Sequence, residues 1–323
     1  MNGRIRAMIS QEEPAGGRTQ AAGAAALVDA ATLKARIGSP DLCILDCRFD
    51  LASPRSGREQ YRQGHIPGAV YADLEMDLSG PKDGSNGRHP LPRPQALAAR
   101  LRSWGAGRRS WVVAYDASEG CYAARAWWLL RWLGHESVCV LDGGWQAWLE
   151  AGGAVSAAAA DPEPGDFEAG APLQSTVGAQ EVLRALSRAA GAPAQPLVVD
   201  ARAPDRYEGR NETLDPVGGH IPGAVSRFWK LNLDPRGRLK PSEVLRGEYQ
   251  ALLGGRAPAQ AILQCGSGVT ACHDLLAMHL AGLPGAALFA GSWSEWVSDP
   301  SRPVARGPLP GGLSDPGSPP AAR

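Results

Sequence analysis

The chain is written twice. Leu45-Asp46-Cys47-Arg48 returns as Val199-Asp200-Ala201-Arg202, and Gly64-His65-Ile66-Pro67-Gly68-Ala69-Val70 returns as Gly219-His220-Ile221-Pro222-Gly223-Ala224-Val225. Gly143-Gly144-Trp145-Gln146-Ala147-Trp148 returns as Gly291-Ser292-Trp293-Ser294-Glu295-Trp296. The order is kept and the offsets stay nearly constant, 154 or 155 early and 148 or 149 late. Two long copies make a duplicated domain, not a solenoid of short units. At 323 residues the chain is long enough for two separate cores.

Each copy mixes short apolar runs with helical ones. In the first, Cys43–Asp46, Trp111–Tyr115 and Val138–Leu141 read as buried strands, and Pro94–Leu101 and Ala123–Leu133 as helices, the latter stopping at Gly134. In the second, Leu197–Asp200, Ala261–Gln264 and Ala287–Phe289 repeat the strands. Unalternated apolar runs bounded by turn residues, with helices between them, predict an α/β fold: in each copy a parallel sheet flanked by helices. Functional side chains then belong at the carboxyl edge of each sheet. The domains are expected at 23–153 and 177–305, joined by an Ala/Pro-rich acidic linker over 154–176. Disordered tails are expected at 1–22 and 306–323.

Charge is balanced, 33 basic against 33 acidic residues, which gives no electrostatic argument for nucleic acid or an anionic membrane, and neither is expected as a partner. No apolar run of about 20 residues is present to span a bilayer, and no secretory signal is expected near Met1. The six cysteines show neither a small-domain disulfide framework nor zinc spacing, so a reducing, cytoplasmic setting and no metal are expected.

The chemistry concentrates at Cys265-Gly266-Ser267-Gly268-Val269-Thr270-Ala271. An apolar strand ends at Gln264, a glycine-punctuated loop follows, and a helix runs from Ala271 to Ala281. Two glycines let several amides turn inward, and the helix N-terminus adds its positive end. A sulfur anion is stabilised in such a place. A merely buried structural cysteine needs no amide cradle. The aligned residue in the first copy is Asp116, whose loop Asp116-Ala117-Ser118-Glu119-Gly120-Cys121 carries two carboxylates. The first copy therefore reads as non-catalytic, a wall for an inter-domain cleft, with Cys121 structural.

This loop, with the repeated Gly-His-Ile-Pro-Gly-Ala and Gly-x-Trp-x-x-Trp elements, resembles the two-domain rhodanese-like sulfurtransferases over roughly residues 25–305. The Gly266-Ser267 pair resembles the 3-mercaptopyruvate sulfurtransferase branch, where thiosulfate sulfurtransferases usually carry Arg-Lys. The resemblance implies two tandem rhodanese-like domains. It implies ping-pong transfer of sulfane sulfur from a small anionic donor through a Cys265 persulfide to a thiol or cyanide, with the amides of Gly266, Gly268, Val269 and Thr270 at the substrate. No organic cofactor is implied. Arg206 matches the family's substrate arginine. A second arginine usually lies nine residues on, where this chain has Asp215, and Arg210 is the nearby candidate to replace it. A Ser/His/Asp arrangement in the family maps onto Ser267, His89 and Asp73. The thiol acceptor is expected to be a thioredoxin-like protein by analogy, and a monomer suffices.

Two readings compete. A cysteine phosphatase of the Cys-x5-Arg kind needs an arginine where this chain has Ala271. A non-enzymatic rhodanese-like module would not need the intact loop. Within the enzymes, thiosulfate sulfurtransferase is the runner-up. His65 and His220, and likewise Asp46 and Asp200, recur in both copies, including the one without the cysteine, and so read as turn locks rather than catalysts. Cys272 reads as a packing residue, with a redox partner of Cys265, seven residues away, as the alternative, and the tryptophans read as packing of the cores and the domain interface.

Overall fold

The computed structural model describes residues 26–186 and 195–311. The first domain runs β1 (Leu27–Val28), α1 (Ala30–Arg36), β2 (Leu42–Asp46), α2 (Ser56–Gln63), β3 (Ala69–Tyr71), α3 (Pro94–Ser103), β4 (Trp111–Tyr115), α4 (Ala123–Trp132), β5 (Val138–Leu141) and α5 (Gly144–Glu150). The second runs β6 (Ser175–Val177), α6 (Ala179–Leu186), β7 (Leu197–Asp200), α7 (Pro204–Tyr207), β8 (Val225–Ser226), α8 (Ser242–Leu253), β9 (Ala261–Gln264), α9 (Ala271–Leu280), β10 (Ala287–Phe289) and α10 (Ser292–Trp296). The sheets are equivalent and parallel, ordered β1-β5-β4-β2-β3 and β6-β10-β9-β7-β8. The central strands β4 and β9 are buried along their whole length, as unalternated apolar runs require.

Each outer sheet face has its own core, built around Ile44, Val113 and Trp148 in the first domain and Val198, Phe289 and Trp296 in the second. The inner faces share one core that runs from Leu45 through α4 and α9 to Leu263. This explains why both helices are apolar nearly all round: each packs on its own sheet and on the other helix. Trp127 of α4, fully buried, meets the His279 ring of α9 at 5.5 Å between centroids.

The linker is narrower than its composition implies. Ser175 and Thr176 belong to β6, the edge strand of the second sheet. The stretch before them is tied to the first domain, with Phe167 N donating to Ala106 O (3.2 Å) and Gly170 N to Leu133 O (2.7 Å). The expected tail at 1–22 lies outside the described residues, as do 312–323 of the C-terminal one. Residues 306–311, by contrast, lie on the second domain, where Gly223 N donates to Pro310 O (2.7 Å). That contact uses a backbone group of the repeated turn which would otherwise need water.

The turn locks are equivalent. His65 has ring nitrogens 2.7 Å from Tyr61 O and 3.1 Å from Ala158 O, and His220 has them 2.9 Å from Tyr207 O and 3.2 Å from Pro310 O. Arg48 is paired with Asp46 and Arg202 with Asp200, each guanidinium stacked on the Trp of the Gly-x-Trp element.

Candidate active site

Strand β9 delivers Cys265 to the carboxyl edge of the second sheet, and the chain turns there into α9. Cys265 N donates to Ser292 Oγ (3.0 Å), and Cys265 O accepts from Trp293 N (3.0 Å), so the start of α10 clamps the residue from behind. Gly268 has φ +75°, and a Cβ there would sit 2.2 Å from Ala290 O, so the turn demands glycine. Backbone amides 266–270 make no hydrogen bond to any described residue. Five successive free donors beside one thiol form an anion cradle.

The first copy shows what such a loop holds. Asp116 Oδ1 accepts from Ser118 N (2.7 Å) and Gly120 N (2.9 Å), and Oδ2 from Tyr122 N (2.8 Å) and Ala123 N (2.9 Å). Its loop is filled by its own carboxylate.

Cys265, Gly266, Ser267, Val269 and Thr270 line one cleft with Arg206 of the second domain and with Leu51, Leu74, Arg88, His89, Cys121 and Tyr122 of the first. The cleft opens to solvent and is walled mostly by apolar side chains. Ser267 and His89 meet across the domain boundary, Oγ to Nδ1 at 2.8 Å. Both are buried, His89 at 2% exposure, so it is not a loose loop histidine. Burial pushes its imidazole down to about 3, and the neighbouring Arg125 and Arg88 charges push the same way. His89 is therefore neutral at physiological pH and offers Ser267 a lone pair or an N–H. The long segment that carries it reaches over to the second domain. Arg88 N donates to Ser294 Oγ (3.0 Å), and Gly87, at φ +83°, lies so close that a Cβ would meet Gly291 O at 2.7 Å.

Two expected site residues stand elsewhere. Asp73 Oδ1 accepts from Glu75 N (2.9 Å) and Met76 N (3.1 Å), and Oδ2 lies 3.6 Å from Arg58. It caps a turn, as its short side chain favours, and makes no hydrogen bond to His89. Arg210 is exposed, pairs with Glu208 at 2.6 Å and does not line the cleft.

The second cationic group is Arg88. It lines the cleft, and its guanidinium and that of Arg206 are the nearest groups to an added Cβ on Gly266. Arg206 is held by Glu212 at 2.8 Å, and Asp215, nearly inaccessible, bridges Arg206 (3.4 Å) and Arg88. Burial tends to raise the Glu212 carboxyl, but the Arg206 hydrogen bonds win and hold it low. Cys121 also lines the cleft, although burial and the Asp116 carboxylate push its thiol well up. Sequence reasoning missed Arg88 and the place of Cys121. The one signal for Arg88 was its position beside His89.

A family model described as a rhodanese-like domain matches residues 29–151 and 179–299. A Pseudomonas aeruginosa protein named a probable 3-mercaptopyruvate sulfurtransferase is 50% identical over 285 residues, covering 88% of this chain and 99% of that protein. The thiosulfate sulfurtransferase of Mus musculus is 34% identical over 281 residues, covering 84% and 91%. The structure of the 3-mercaptopyruvate sulfurtransferase from Leishmania major superposes with a TM-score of 0.72 at 28% identity, covering 85% of this chain and 74% of that one. The duplicated sheets, the cysteine loop of the second domain and these likenesses together place the chain in the two-domain rhodanese-like sulfurtransferases, the group of the 3-mercaptopyruvate and thiosulfate enzymes.

Proposed function

We propose that the protein moves sulfane sulfur from a small anionic donor, 3-mercaptopyruvate in preference to thiosulfate, through a persulfide on Cys265. The observation that carries this is the convergence of Cys265, its free amides and two arginines on one cleft. The Cys265 thiolate attacks the donor sulfur and the donor's C–S bond breaks. The bonding pair leaves with carbon as the enolate of pyruvate, which takes up a proton. The new S–S bond is Cys265–S–SH, its outer sulfur anionic once deprotonated. An acceptor thiol or cyanide then attacks that sulfur and returns Cys265 as thiolate. The free amides of residues 266–270 stabilise charge on sulfur in both halves of the cycle. Ser267, backed by neutral His89, is placed to hydrogen-bond the donor and pass a proton. Arg206 and Arg88 supply the grip on the carboxylate. The neutral Gly266-Ser267 pair, with Glu212 and Asp215 balancing the arginines, fits a monoanion better than the doubly charged thiosulfate.

For the acceptor, a thioredoxin-like dithiol fits the chemistry. A monomer suffices, since both walls of the cleft come from one chain. The six cysteines are buried and form no disulfide among the described residues, which fits a reducing cytoplasmic compartment, and no helix among the described residues is long and apolar enough to cross a membrane.

The test is steady-state transfer to cyanide from each donor, with wild type and Cys265→Ser. Preference for 3-mercaptopyruvate, abolished in the variant, is expected. Preference for thiosulfate overturns the donor and keeps the mechanism. No transfer from either overturns the reading.

A further inference from the structure

Four arginines of the described chain are buried, and three obey the usual rule: Arg48 pairs with Asp46, Arg202 with Asp200 and Glu212, and Arg227 with Glu248. The fourth, Arg125 of α4, is 0% exposed and has no carboxylate partner among the described residues. Its Nη1 donates to Gly268 O and its Nη2 to His89 O, both at 3.1 Å, its Nε has no partner among the described residues, and the Cys272 thiol lies against it. A guanidinium withdrawn from water costs several kcal/mol unless an anion is near.

The groups that face Arg125 leave one source for that anion. His89 is neutral. Cys272 donates its S–H to Gly268 O (3.2 Å), and burial holds its thiol at about 12, so it too is neutral. Gly268 belongs to the loop that begins at Cys265, so Arg125 is hydrogen-bonded to the backbone of that loop, and negative charge on the Cys265 sulfur attracts its guanidinium as it does that of Arg202, which already has Asp200 and Glu212. The duplication marks the same residue. The offset that aligns Asp116 with Cys265, 149, aligns Arg125 with Asp274, so one helix position holds a basic residue in one copy and an acidic residue in the other. Asp274 is engaged inside its own domain, accepting from Asn232 Nδ2 at 2.6 Å.

We infer that Arg125 is the fixed counter-charge of the catalytic sulfur, supplied by the non-catalytic domain to the Cys265 thiolate and its persulfide. It is a positioning residue as well, since its two hydrogen bonds tie the Cys265 loop to the segment that carries His89. The first domain is then a source of charge for the reaction in addition to a wall. This rests on the persulfide reading only for its second anion. The thiolate pairing stands alone.

The test is the pH dependence of Cys265 alkylation by iodoacetamide in the full chain, with Cys265→Ser as the blank, for Arg125→Met and Arg125→Lys. The Met variant is expected to move the midpoint up by about one unit, a roughly tenfold loss of rate at pH values below both midpoints. The Lys variant, which keeps the charge and loses one hydrogen bond, is expected to stay near wild type. A Met midpoint unchanged from wild type, or a Lys midpoint displaced as far as Met, overturns the inference. Should the Met variant fail to fold, the Tm advantage of wild type over Cys265→Ser decides. It is expected to grow with rising pH, and an advantage independent of pH overturns the inference. Absence of sulfur transfer in wild type together with a shifted Met midpoint removes the persulfide reading and leaves the charge pairing standing.

Discussion

At the scale of single residues, the fold decides a charge. Native His89 refuses a proton until about pH 3, whereas a free imidazole takes one near 6.5. Between those values the unfolded chain binds the extra proton, so His89 lowers stability as pH falls through this window. Its ring resonances in NMR are expected to show the neutral form at pH 5, and its share of the acid loss is expected to vanish in His89→Gln, compared by urea unfolding at pH 5 and pH 7. The contribution is at most about 1.4 kcal/mol per pH unit. Ser267→Ala removes the hydroxyl from this pair and is expected to lower kcat about 10²-fold or more with the Cys265 alkylation rate little changed. An unchanged kcat would reduce Ser267 to a loop residue. His89 was legible from family position, and Arg88 beside it was not, because a single arginine on a long loop looks like any solvated charge. Asp73 misled because carboxylates in short turns cap amides as readily as they orient imidazoles.

At the scale of elements, the loop between β9 and α9 is fixed by Gly268 from one side and the start of α10 from the other. Gly268→Ala places a side chain against Ala290 O in left-handed backbone. It is expected to cost about 1–3 kcal/mol in urea unfolding and to reduce sulfur transfer far more than that loss of stability explains. The short chain from α7 to Asp215 sets the charge of the cleft. Asp215→Asn leaves Arg206 and Arg88 without their shared anion, and the KM for thiosulfate is expected to fall about fivefold, more than that for 3-mercaptopyruvate, in line with about 1 kcal/mol for a partly exposed pair. Equal KM changes for both donors would give Asp215 a purely mechanical role between the domains. The central strands were readable because they are buried apolar runs. The edge strands β1, β3, β6 and β8 run two to three residues each and carry no pattern that separates them from turns.

At the scale of the whole molecule, the duplication was legible throughout, because turn locks and strand ends are set by local chemistry that both copies keep. The way the copies face each other was not, since α4 and α9 read only as apolar helices and their mutual packing is a tertiary fact. Trp127→Ala, which empties the middle of that shared core, is expected to lower stability by about 3–5 kcal/mol in denaturant unfolding. A loss below about 1 kcal/mol would mean that the domains hold without it. The carboxylate of Asp116, seated on four amides, bears on counting. One of two equivalent binding places arrives already occupied by the polypeptide itself, and no wash or dialysis empties it. Calorimetric titration with a competing anion such as sulfite should therefore saturate at one equivalent per chain, half the number that the duplicated architecture would offer.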